Sequence, residues 1–158
     1  MKLNTNSNTY TIIYAAVVVV VVAFLLAFVS EVLKAPSEAN ERIDKKKQIL
    51  ASLNIRDVDN QQVESEYDKV IVADCVIDSQ GEVVDAGTDK DQTGFLMGSK
   101  DITPDRLPLY VCNVDGAKKY VIPLFGKGLW GAIWGYLALN DDCNTVYGAY
   151  FGHPSATA

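Results

Sequence analysis

The sequence predicts an α+β protein: one N-terminal transmembrane helix followed by a mainly antiparallel sheet domain. Three observations predict it. Residues Ile12 to Val29 form an 18-residue run with no charge and only Tyr14 as a polar group. From Tyr67 onward the apolar residues fall into short, β-branched runs separated by turn signals. Asp115-Gly116 lies between two such runs, and both of its central positions tolerate the positive φ that a tight hairpin needs.

The whole chain has 158 residues, a net charge of -6 and 49% hydrophobic residues. That length holds one domain plus an anchor and is too short for a multidomain enzyme. The acidic balance excludes nucleic acid as a partner, which needs a basic footprint to displace counterions. The apolar fraction excludes disorder along the whole chain.

Residues 1–9 read as a short tail and residues 10–33 as the membrane helix. A helix rises ~1.5 Å per residue, so ~20 residues cross the hydrocarbon core. Val17 to Val22 are six consecutive valines, poor helix formers in water. In lipid the backbone must satisfy itself, and a single span has no alternative to the helix. Tyr10 and Tyr14 suit one interface. A cleaved signal peptide would show a basic start and a small-x-small cleavage site. Here Lys2 is the sole basic residue before the run, and 27–32 has no Ala-x-Ala pattern, so the reading is an uncleaved anchor. Lys34, Arg42 and Lys45 to Lys47 follow the span, and a naive count of basic residues places the domain in the cytoplasm.

Residues 34–40, with Pro36 and Ser37, read as a juncture, and 41–158 as the following domain. In Glu41 to Leu53, Ile43, Leu50 and Leu53 share one helical face, which predicts an amphipathic helix. Lys45 to Lys47 read as its solvated face, with a lipid-headgroup contact as the alternative. Strands are predicted over Val70 to Ile77, at Val83-Val84, and over Leu107 to Val114, Lys119 to Leu124, Leu129 to Leu139 and Val146 to Phe151. Residues 86–100 are polar and read as a loop with little regular structure.

Side-chain chemistry is sparse. His153 is the single histidine, too few for a multi-histidine metal site, and reads as a turn or surface residue. Cys75, Cys112 and Cys143 lack Cys-x-x-Cys spacing, which argues against structural zinc. Their place in or beside strands predicts buried apolar packing. Asp85, Asp89 and Asp91 miss the order of a calcium loop, so no metal site is assigned. No catalytic acid, base or nucleophile is assigned either. The unusual segment is Gly126-Lys127-Gly128-Leu129-Trp130-Gly131. Glycines let backbone approach a ligand, a lysine meets a phosphate, and a tryptophan stacks on a flat ring. A glycine-rich strand entry with a core tryptophan is the plain alternative. The spacing is not that of a P-loop.

The blocks Leu107 to Gly116, Lys119 to Gly131, Ile133 to Leu139 and Thr145 to Gly148, with Asn8 to Thr11 and Lys45 to Leu50 before them, resemble the C subunit of the sodium-translocating NADH:quinone oxidoreductase. The resemblance runs from Met1 to His153 and is most specific at Gly-Lys-Gly-Leu-Trp-Gly. It implies an FMN-binding-type domain on the periplasmic side of a bacterial inner membrane. It implies an FMN joined through its phosphate to a threonine by a flavin transferase. The implied partners are the other membrane subunits of the complex, which passes electrons from NADH to ubiquinone and moves sodium. Lys127, Gly128, Leu129 and Trp130 are the implied flavin environment. After His153 the family pattern continues with a Glu-Thr-Pro-Gly-Leu-Gly block and, later, the segment bearing the flavin threonine. Here the sequence reads Pro154-Ser155-Ala156-Thr157-Ala158, so the domain is expected to be incomplete at its C-terminus, and no attachment residue carries over. The G subunit of the related Rnf electron-transport complex, and a membrane-anchored β-rich binding module without redox chemistry, are the alternative readings.

Overall fold

The computed structural model describes residues 8–129 and 131–154. The chain divides into two units, Met1–Arg42 and Ile43–Ala158. Helix α1, Asn8–Ser52, contributes to both.

In the first unit α1 is apolar on every side from Ile12 to Val29, and these side chains are exposed throughout. A helix apolar all round without a protein partner is suited to lipid rather than water. Among the described residues it is the one helix long and apolar enough to cross a membrane. Tyr10 and Tyr14, one turn apart, stack with ring centroids 6.3 Å apart. Residues 34–40 are helical, Pro36 included, so the expected juncture does not interrupt α1.

The second unit is a six-stranded antiparallel sheet with its helices on one face, an α+β arrangement. The last turns of α1 are followed by α2 (Val63–Val70), β1 (Ile71–Ile77), β2 (Val83–Asp85), a 3-10 turn at Gly94–Leu96, β3 (Leu107–Val114), β4 (Ala117–Lys127), β5 (Ala132–Asn140) and β6 (Val146–Gly152). Strand order is β2-β1-β3-β4-β5-β6. Apart from the β1 to β3 step, which passes β2 at the edge, the strands form a meander. The β3–β4 turn is the Asp115-Gly116 hairpin, with φ of 52° and 81°. Each element from β3 onward matches the sequence reading to within a few residues.

Helix α2 is an addition to the elements that the sequence pattern predicts. Its three buried residues, Val63, Tyr67 and Val70, lie on one face at spacings of four and three, but five polar residues separate them. With Ile49 and Leu50 of α1, and Leu53 in the turn just after it, they cover Ile71, Tyr110, Cys112, Val121, Tyr136 and Ala138 of the sheet. At the junction Asn54 adopts φ 64°, and the Ile55 amide donates back to the Leu50 carbonyl, ending α1. Gly148 lies against the Ser52 carbonyl and the Asn54 side chain, where a Cβ would collide. Helix end and last strand therefore close on each other only through a residue without a side chain.

Candidate functional site

The glycine-rich segment forms the tip of the β4–β5 hairpin. Lys127 pairs with Ala132 as the last rung of the ladder. The Gly128 amide then donates to the Gly131 carbonyl at 2.7 Å. Gly131 takes φ 153°, a conformation that L side chains rarely adopt. A Cβ on Gly128 would fall 2.6 Å from Ile133 Cδ1, so that glycine lets the strands meet at the tip. Leu129 projects from the turn at 90% exposure, and Lys127 is exposed beside it. Trp130 lies outside the described residues. Of the four residues singled out by sequence, the hairpin thus brings Lys127, Gly128 and Leu129 to one exposed point.

Below the tip the ladder is anchored by a residue that no sequence motif singles out. Trp134 faces the helical side of β5, and its Nε1 donates to Gln48 Oε1 at 2.9 Å. Its indole also lies on Gly152 of β6, where a Cβ would come within 2.9 Å of the ring. On the opposite face, Phe151 occupies the space above Gly135 in the same way. These two glycine-aromatic contacts fix β5 against β6 just below the turn. Beside Gln48 a groove of about 450 Å³ is lined by Asp44, Lys47, Ala51, Arg56, Asp57 and Tyr150, among others. Its acids and bases balance, so it carries no charge preference for a ligand.

A second cluster is structural. Lys46 is buried, bonded to Glu64 and, at 2.8 Å, to Asp91. Its Nζ also lies 4.9 Å from the Tyr67 ring centroid. Burial pushes its ammonium down, but the bonds to Asp91 and Glu64 outweigh burial and raise its pKa. Lys45 donates to the Phe95 carbonyl. Two of the three lysines therefore hold the 86–100 loop and do not form the solvated or lipid-facing surface that charge spacing predicts. A helix with Lys46 on the same side as Ile49, Leu50 and Leu53 presents that lysine to the protein interior, where it must find acids.

Asp74 completes this clamp. It is 1% exposed, and its carboxylate accepts from the Thr93 amide at 2.9 Å and the Phe95 amide at 3.0 Å. Burial raises its pKa, against the lowering effect of those backbone bonds. Gly87 packs against the Asp74 carbonyl and Thr93, again leaving no room for a Cβ. The polar 86–100 loop is accordingly irregular, as read from sequence, yet fixed at both ends of its turn. Asp91 is committed to Lys46, and Asp85 accepts from the Gly87 amide at 3.0 Å. Among the described residues no group of three or more His, Cys, Asp or Glu side chains is placed to hold a metal.

Cys75 and Cys112 are buried, as their strand positions predict, and burial pushes the Cys112 thiol up to about 12. Cys143 departs from that expectation. It is exposed at φ 52° in the β5–β6 turn, a site set by the Asp142 carboxylate, which accepts from the Asn144 and Thr145 amides. His153 is exposed just past β6. The Tyr110 hydroxyl is buried with no hydrogen-bond partner among the described residues, its ring edge-on to Tyr136 at 6.5 Å.

No family model matches the chain. It is 30% identical over 170 residues to the C subunit of the Na(+)-translocating NADH-quinone reductase of Pseudomonas aeruginosa, spanning 94% of this chain and 64% of that protein. It is 23% identical over 173 residues to the corresponding C subunit of Haemophilus ducreyi, spanning 99% of this chain and 67% of that one. The crystal structure of the C subunit from Parabacteroides distasonis matches with a TM-score of 0.70 and 37% identity, over 80% of this chain and 60% of the other. The chain thus spans about two thirds of the length of the curated relatives it matches.

Proposed function

From this similarity, which supports membership of the C-subunit family of sodium-translocating NADH-quinone reductases, we propose that the chain is a membrane-anchored flavoprotein subunit of such a complex. The observation that carries the proposal is that the match extends through nearly all of this chain, anchor helix and sheet domain together. The identities of these relatives favour this reading over the Rnf subunit and over a module without redox function. In this reading α1 is a single inner-membrane span, the domain lies on the periplasmic side, and the partners are the other membrane subunits. A flavin transferase attaches FMN in the family, and no attachment residue is proposed within this chain.

The hairpin tip fits one wall of a flavin site. Leu129 offers an exposed apolar surface, Lys127 a cation for a phosphate, and Gly128 to Gly131 a tight turn that keeps backbone near the surface. Trp130 belongs to the same proposed wall by sequence. FMN supplies the redox chemistry when bound, and side-chain acids or bases are not required. The task of this chain is then positional. Trp134, through Gln48 and Gly152, sets where the tip stands, and Lys127 holds charge beside it.

The test is genetic and enzymatic. Membranes from a strain lacking the gene are expected to lose sodium-stimulated NADH:quinone reductase activity, and reintroduction of the intact gene is expected to restore it. Undiminished activity in the deletion strain overturns the proposal.

A further inference from the structure

We draw no further inference here: the strongest candidate, the groove of about 450 Å³ between the last turns of α1, residues 55–58 and Tyr150 of β6, is lined by acids and bases in balance, and nothing in the structure shows what occupies it.

Discussion

Trp134 Nε1 donates to Gln48 Oε1 at 2.9 Å and so ties the fifth strand to the end of the long helix. The same indole lies on Gly152, which joins three segments distant in sequence around one ring. Gln48→Leu removes the acceptor and keeps the side-chain bulk. We expect a loss of about 1 kcal/mol in unfolding free energy, the usual net worth of one such bond. A shift in the tryptophan emission of the native state should accompany it. Urea unfolding of the chain in micelles, followed by fluorescence and circular dichroism, reads both. An unchanged emission spectrum and midpoint would show the bond to be idle.

Lys46 answers to Asp91 and Glu64 together, and its own side chain is 3% exposed. Lys46→Ala leaves Asp91 facing a vacated interior and removes the cation above Tyr67. The expected cost is about 3 kcal/mol, the low end for breaking a buried pair, because Glu64 can rehydrate. Lys47→Ala on the same helix turn is expected to change stability by less than about 0.5 kcal/mol, as for an ordinary surface site. Chemical denaturation of the two variants side by side measures the contrast. Equal effects would mean that burial of Lys46 contributes nothing specific.

The strands from β3 onward are legible in the sequence because their turns carry explicit chemistry, above all Asp115-Gly116, and because apolar runs and turn residues alternate cleanly there. The anchor is legible from uncharged length alone. Helix α2 is not, since three apolar residues at 63, 67 and 70 form too thin a stripe among acids and a lysine to raise a periodic signal. Lys46 misleads for a related reason. A lysine in a Lys-Lys-Lys run looks solvated until Asp91, an acid of the distant 86–100 loop, is known to fold onto it. Charge pairing across such a separation leaves no local trace. The spacing of Lys46 to Ile49, Leu50 and Leu53 is the available hint, because it places the lysine on the apolar side. At the candidate site, the glycine-rich block is legible as unusual. Its anchoring through Trp134, Gln48 and Gly152 depends on the pairing of β5 with β6 and on the last turns of α1, which only the fold supplies.

The three cysteines should separate by accessibility. Cys143 is exposed, while Cys75 and Cys112 are buried with their thiol pKa values raised by burial. The thiolate is the reactive form, so brief alkylation near pH 8 is expected to modify one thiol in the native chain and three in denaturant. Intact mass before and after Cys143→Ser identifies the site. Modification of Cys112 under native conditions would contradict its packing beneath the helices.

Asp74 makes the pH dependence of the fold calculable in sign. Its folded pKa is raised, burial outweighing the bonds from Thr93 and Phe95. A raised folded value means that the folded state holds its proton more tightly than the unfolded chain does. The contribution of Asp74 is therefore fully present below the ordinary Asp range and is lost as pH rises through the raised value. Asp74→Asn keeps an oxygen acceptor for the loop amides without the charge, and it should flatten the stability profile across that window. Asp74→Ala instead strands the Thr93 and Phe95 amides, at about 1–3 kcal/mol for each unsatisfied donor, and should free the 86–100 loop at every pH. Thermal unfolding followed from the ordinary Asp range upward to neutral pH, with proteolysis within residues 86–100 as the loop readout, distinguishes the two variants. A profile for Asp74→Asn as steep as that of the unaltered chain would assign the pH dependence to another group. The outcome bears on the lysines as well, because Lys45 is the cation that acts on Asp74 and it bonds the Phe95 carbonyl beside the amide that Asp74 holds. Loss of the carboxylate charge should therefore loosen Lys45 before it loosens Lys46, whose partners are Glu64 and Asp91.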